Sequence, residues 1–108
     1  MTVKDLCENC GFSAVVLPDS DREVSGCYTG DLLSWVMGRA NADNAWITIM
    51  SNINILAVAS LADVACIILS EGVTVDDEII ATAKEKEINI ISSVLPSYET
   101  AVKVSGML

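Results

Sequence analysis

Residues Ala45 to Gly72 leave this chain few ways to fold. Ala45-Trp46-Ile47-Thr48-Ile49-Met50 is β-branched and aromatic, and Thr48 interrupts it in step with a two-residue period. Ser51-Asn52-Ile53-Asn54 follows as a polar turn. Ile55, Leu56, Ala59 and Ala62 then fall at helical spacing, and Val58 and Leu61 widen the stripe until little polar surface remains. That pattern predicts a largely buried helix. Asn52 or Asn54 can cap its first turn by accepting backbone N–H groups that lack an internal partner. Ala65 to Leu69 is uniformly apolar and too short for a helix, which suits a strand covered on both faces. A strand–helix–strand unit of this length crosses over and yields parallel strands.

The rest of the chain extends the alternation. Thr2 to Cys10 predicts a short helix opened by Thr2 and Asp5 as a capping box and closed by Gly11. Phe12 to Leu17 predicts a strand, Pro18 to Asp21 a turn, and Arg22 to Tyr28 a looser extended piece. Thr29 or Gly30 starts a helix over 31–40, with Asp31 in its first turn and Leu32, Leu33, Val36, Met37 and Ala40 as its buried stripe. Thr74 and Asp77 resemble a second capping box, opening a helix to about Lys86 with Ile79, Ile80 and Ala83 inward. Ile88 to Ile91 is the last strand. Pro96 opens a closing helix with Tyr98, Val102 and Met107 inward. The expected fold is α/β: a layered sandwich with a mainly parallel central sheet of four to five strands flanked by helices.

A chain of 108 residues, 52% apolar and 19% charged, has material for one core, so 1–108 is read as a single domain. No apolar run reaches the roughly 20 residues that span a bilayer. The amino terminus lacks the long apolar stretch of a secretory signal, and a cytoplasmic setting is expected. Fifteen acids against six scattered bases give a net charge of −9, which disfavours nucleic acid and anionic membrane as partners. The chain contains no histidine. That removes Ser-His-Asp and Cys-His catalysis and every His-containing zinc site.

At Asp21-Arg22-Glu23-Val24-Ser25-Gly26-Cys27-Tyr28 the chain resembles the DRTGG domain family. The resemblance runs on through Asp31 to Met37, Ala45 to Ile49, the apolar strand ending at Gly72, the Thr74–Lys86 helix and the Ile88–Ser93 strand. Asp21 and Arg22 stand for D and R, Ser25 keeps the hydroxyl of T, and Gly26 matches the first G. Cys27 stands where the second glycine usually does. If that position needs a positive φ or a close backbone approach, Cys27 changes the loop. The resemblance implies a domain similar to the amino-terminal domain of the HPr kinase/phosphatase. It further implies a non-catalytic role in regulation or dimer contacts. A homodimer is expected, either as a regulatory module or, alternatively, as a structural adaptor for an unidentified protein partner. No G-x-x-x-x-G-K-[ST] loop is present to hold ATP phosphates, so kinase activity is not expected.

Open α/β sheets bind ligands beyond the carboxyl ends of their strands. The expected strand ends carry hydroxyl, amide and glycine groups, suited to a small nucleotide-like ligand. The candidate ligand residues are Asp21, Arg22, Ser25, Gly26, Thr29, Gly30, Ser51, Asn52 and Asn54. The same residue types also serve as ordinary caps and turns. Cys7-Glu8-Asn9-Cys10 is a C-x-x-C pair, readable as a redox dithiol, half of a metal site, or small apolar helix residues. Asp76-Asp77-Glu78 and Asp19-Asp21-Glu23 could bind a cation, or complement a helix end and a turn. Trp35 falls off the apolar stripe of its helix and marks a partner surface or packs on a nearby loop. No catalytic residue, metal or cofactor is expected from the motifs present.

Overall fold

In the computed structural model, which describes residues 1–108, the segments Ala45–Thr48 and Cys66–Leu69 run side by side, parallel, with Ala45 opposite Cys66 and Thr48 opposite Leu69. They are β3 and β4. The chain order is α1 (Val3–Cys10), β1 (Ser13–Val16), β2 (Cys27–Thr29), α2 (Leu33–Arg39), β3, α3 (Asn54–Ala62), β4, α4 (Asp77–Glu85), β5 (Ile90–Ser92) and α5 (Ser97–Met107). The sheet order is β1-β5-β4-β3-β2. Four strands are parallel, and β1 joins β5 antiparallel at one edge. This is the layered, mainly parallel α/β sandwich that the alternating pattern predicts.

The inner strands are buried on both faces, and their residues alternate between two cores. Trp46, Ile67, Leu69 and Ile90 pack with Val36, Ile55, Leu56, Ile79 and Ala83, so α2, α3 and α4 cover one face. Ala45, Ile47, Cys66, Ile68 and Ile91 pack with Val3, Leu6, Cys7, Cys10 and Val104, so α1 and α5 cover the other. Burial without exception along β3 and β4 explains their unbroken apolar runs.

Several local expectations hold. Thr2 Oγ1 accepts the Asp5 N–H at 3.1 Å and Asp5 accepts the Thr2 N–H at 3.2 Å, completing the capping box of α1. Gly11 ends α1 at φ 70°.

Others are corrected. The cap expected from Asn52 or Asn54 is not formed: Ile53 is the N-cap of α3 with no side-chain cap, and Asn52 Oδ1 accepts only the Asn54 N–H, at 2.9 Å, in the turn leading in. Thr29 belongs to β2, not to a helix start, and α2 begins only at Leu33. Asp31 is drawn away from the helix end because its carboxylate accepts from Thr48 Oγ1 and the Ile49 N–H, both at 2.9 Å. In α2 only Val36 is buried; Leu32 and Met37 are exposed, because this short helix lies over the sheet edge. In α3, Leu61 is 75% exposed, since the helix covers the sheet with one side only. Asp76, not Thr74, caps α4, accepting the Ile79 N–H at 2.9 Å. In α5 the inward residues are Thr100 and Val104, while Tyr98 and Val102 face outward. A buried hydroxyl pair sets this phase: Ser93 Oγ and Thr100 Oγ1 lie 2.8 Å apart, and Thr100 also donates to the Leu95 carbonyl. Apolar spacing carries no trace of that pair.

Candidate functional site

Paired strands begin and end at opposite rims of the sheet, and the nine candidate residues divide between those rims. The extended segment Arg22–Tyr28 pairs with β3 only from Cys27 onward. Asp21, Arg22, Ser25 and Gly26 therefore lie at the amino rim, where β2, β3 and β4 start. Thr29, Gly30, Ser51, Asn52 and Asn54 lie at the carboxyl rim. Three steps of strand, about 10 Å, separate the two groups. They do not form one cleft.

At the amino rim the motif residues hold the loops together. Arg22 Nη2 donates to Asp43 Oδ1 at 3.0 Å, to the Asp63 carbonyl at 2.7 Å and to Asp63 Oδ1 at 2.8 Å, and Arg22 Nε donates to Asp43 Oδ1 at 3.3 Å. Asp43 and Asp63 close the turns that enter β3 and β4, at φ 67° and 58°. Asp tolerates this left-handed backbone better than most residues. Partial burial alone would lower the Arg22 pKa, but the bonds and charges of Asp63 and Asp43 outweigh it and raise the value. Gly26 adopts φ 139°, and its carbonyl accepts the Ala45 N–H at 2.9 Å. Cys27 needs no positive φ, so losing the second glycine of the motif leaves β2 intact.

Asn89, 2% exposed, extends this brace. Its Nδ2 donates to the Asp19 carbonyl at 2.8 Å and the Ala65 carbonyl at 3.0 Å, and its Oδ1 accepts the Asp19 N–H at 3.0 Å. Sequence reasoning missed Asp43, Asp63, Asn44 and Asn89. The one available signal was Asp or Asn just ahead of each apolar strand. Both cavities in the structure open at this rim. One, of about 170 Å³, is lined by residues including Arg22, Ser60, Asp63, Lys86 and Asn89. The other, of about 430 Å³, is a groove between Met1, Val24, Ser25, Gly26, Met107 and Leu108.

The carboxyl rim is stitched shut. The chain leaves β4 toward one face and β5 toward the other, the arrangement that opens a crevice in many α/β sheets. Here the Glu71 N–H donates to the Leu95 carbonyl at 2.8 Å, and the Gly72 N–H to the Ser93 carbonyl at 2.9 Å. Ser70 Oγ and Ser97 Oγ lie 2.7 Å apart, and Glu71 Oε2 accepts the Ser97 N–H at 2.9 Å. On the neighbouring strands, the Gly30 carbonyl accepts from the buried Trp46 Nε1 at 2.9 Å. Ser51, Asn52 and Asn54 remain exposed.

Cys7, Cys10 and Cys66 are buried and Cys27 is exposed, all four as free thiols. Cys7 Sγ donates to the Phe12 carbonyl at 3.4 Å. No three His, Cys, Asp or Glu side chains converge, so the C-x-x-C pair meets no further ligand. Burial raises the pKa of Cys7, Cys10 and Cys66. The folded chain thus keeps thiol protons that the unfolded chain releases near the ordinary value of 9.0. The thiol contribution to stability is complete below that value and declines as pH rises through the folded-state values. The urea midpoint is expected to hold through about pH 8 and to fall above it. Cys66→Ala should flatten the fall, which urea titration across pH reads. An unchanged slope would show that Cys66 titrates alike in both states.

Trp35 is half exposed, and the Arg39 guanidinium lies 3.7 Å from its ring centroid. Residues i and i+4 on a helix are placed for such a cation–π contact. No helix is long and apolar enough to cross a membrane.

Among solved structures, the fold is similar to that of the CBS and DRTGG domains of the regulatory region of Clostridium perfringens pyrophosphatase, complexed with its activator, diadenosine tetraphosphate. The TM-score is 0.74 at 14% identity, and the match covers 95% of this chain and 45% of that one. The present chain thus spans less than half of that regulatory region. No curated protein matches the sequence. The model of the DRTGG domain matches residues 31–107; the Asp21–Cys27 stretch lies ahead of the matched span. With more than two thirds of its residues matched, the chain belongs to the DRTGG domain family.

Proposed function

We propose that residues 1–108 form one DRTGG-like domain that works as a non-catalytic regulatory and dimerisation module for a protein partner in the cytoplasm. One observation carries this reading: Arg22 and Gly26 are engaged inside the fold, while apolar side chains stand unpartnered outside it. Arg22 is held by two aspartates, and Gly26 abuts Asn44. Leu32, Trp35 and Met37 are 47–57% exposed, beside the free edge of β2. Large exposed apolar side chains next to an unpaired strand suit a protein contact. Four free thiols accord with a reducing compartment.

Sedimentation equilibrium at micromolar concentration is expected to give twice the 11.5 kDa chain mass. Trp35→Ser with Met37→Ser should return it to the single-chain mass. A single-chain mass for the unsubstituted protein would refute dimerisation.

A second reading is that the module senses a small nucleotide-like ligand. The diadenosine tetraphosphate bound by the C. perfringens regulatory region favours it. Of the candidate residues, Thr29, Gly30, Ser51, Asn52 and Asn54 share one rim and could act together. Titration with adenine nucleotides, followed by Trp35 fluorescence, tests this reading. A saturable shift would support it, and no shift with any nucleotide would remove it.

A further inference from the structure

The six bases all lie away from one end of this molecule. Glu71, Asp76, Asp77, Glu78 and Glu99 all sit on the loops and first helical turns of the carboxyl rim. Every base lies elsewhere. Lys4 and Arg22 are at the amino rim, Arg39, Lys84 and Lys86 are at the far ends of α2 and α4, and Lys103 is in the second half of α5. Asp77, Glu78 and Glu99 enter no ion pair.

The same rim exposes apolar side chains. Val94 is 84% and Tyr98 75% exposed at the end of β5, and Ile49 and Ile53 are about two-fifths exposed at the end of β3. Two strand spacings, about 10 Å, separate the two pairs, with the acids of the β4–α4 loop between and beside them. The loops beneath are tied down by the Asp31, Ser70–Ser97 and Glu71–Ser97 bonds, so the surface is preformed.

We propose that the carboxyl rim docks a basic, amphipathic segment of another protein, with apolar anchors on Val94, Tyr98, Ile49 and Ile53 and Lys or Arg side chains facing the acids. Charge complementarity selects this occupant. A second copy of the chain would bring the same acids against each other. Val94 and Tyr98, at the end of β5, lie three strands from the β2 edge that exposes Leu32, Trp35 and Met37, so the variants at these two positions leave that edge intact.

The test uses three fluorescein-labelled peptides of equal length: an amphipathic Lys/Leu helix, its Glu/Leu counterpart, and a Lys/Ser peptide with no apolar face. Anisotropy titrations of the full chain are expected to show saturable binding of the Lys/Leu peptide alone. Glu78→Lys with Glu99→Lys should weaken it about tenfold or more, as loss of facing charge pairs does. Glu85→Lys with Glu87→Lys changes net charge equally on exposed sites at the opposite rim, and should weaken it less than about twofold. Val94→Ser with Tyr98→Ser should also weaken it, with urea midpoints confirming that each variant folds. Equal losses in the two charge pairs, equal binding of the Lys/Ser peptide, or no saturable binding would overturn the proposal. So would a dimer that Val94→Ser with Tyr98→Ser converts to a monomer, which would assign the rim to a second copy.

Discussion

Gly26→Ala is expected to lower the stability of the chain by about 3 kcal/mol, from backbone strain and a steric clash acting together. At φ 139° the backbone of Gly26 lies in a region that side-chain-bearing residues rarely enter. A Cβ added there would lie 2.8 Å from Asn44 Nδ2. Neither partner can easily give way. The Gly26 carbonyl accepts the first bond of the β2–β3 pair, from the Ala45 N–H. Asn44 is buried, with its Oδ1 accepting the Asn41 N–H at 3.0 Å and its carbonyl accepting the Ala65 N–H at 2.8 Å. Moving either one disturbs the start of two strands. Gly38→Ala makes the control: Gly38 lies in α2 with nothing within 4 Å of an added Cβ. It should be neutral or stabilising by up to about 1 kcal/mol. Urea unfolding of both variants reads the difference. A Gly26→Ala loss below about 0.5 kcal/mol would show that the loop relaxes freely and that the glycine is not required.

Arg22→Met should cost about 2 kcal/mol, mostly by leaving two turn aspartates without their cation. The figure stays below that of a fully buried pair because the Asp43 and Asp63 side chains are 49% and 66% exposed. For a domain near 100 residues it corresponds to a fall in Tm of roughly 10 °C. Arg22→Lys should recover little, because one ammonium cannot reproduce a planar fork that reaches two carboxylates and a carbonyl. Asp43→Asn should lose less than Arg22→Met, since Asn keeps both the left-handed turn and an acceptor oxygen. Thermal denaturation of the three variants orders them. Arg22→Lys folding as well as the unsubstituted chain, but losing a ligand response, would make Arg22 a binding residue instead of a brace.

These two residues show where reading the chain in one dimension stops. Arg22 and Gly26 were recognisable as motif letters, but their partners Asp43, Asp63 and Asn44 lie 18 to 41 positions further on. A polar residue four places before an extended run looks the same whether it faces a ligand or grips a turn. The candidate ligand set was split for a related reason. Arg22–Tyr28 reads as one extended piece, yet its first residues bridge back to the Met1–Val3 end and only its last residues pair with β3, so Ser25 and Gly26 fall at the start of the strand and not at its end.

Periodicity worked where burial is one-sided or complete. Thr2, Asp5, Val3, Leu6, Cys7 and Cys10 of α1 took the roles their spacing implies, because cap and stripe are both local. The β3–α3–β4 unit was legible because nothing but a doubly covered strand tolerates Cys66-Ile67-Ile68-Leu69 without a polar break. It failed in α5, where Tyr98 and Val102 face solvent and Thr100 is buried. Hydrophobicity ranks Tyr and Val above Thr, and only the hydroxyl of Ser93, brought opposite by the sheet, reverses that order.

What the residues dictate by themselves is therefore the alternation of helix and strand, the doubly covered centre and the acidic character of the whole. Those properties depend on neighbours within about four positions along the chain, where propensity, capping and amphipathic spacing act. Which polar groups face one another, which rim is left without bases and which apolar side chains remain outside were decided only when distant loops met. Each of those outcomes rests on contacts between segments tens of residues apart, whose energies no local pattern records.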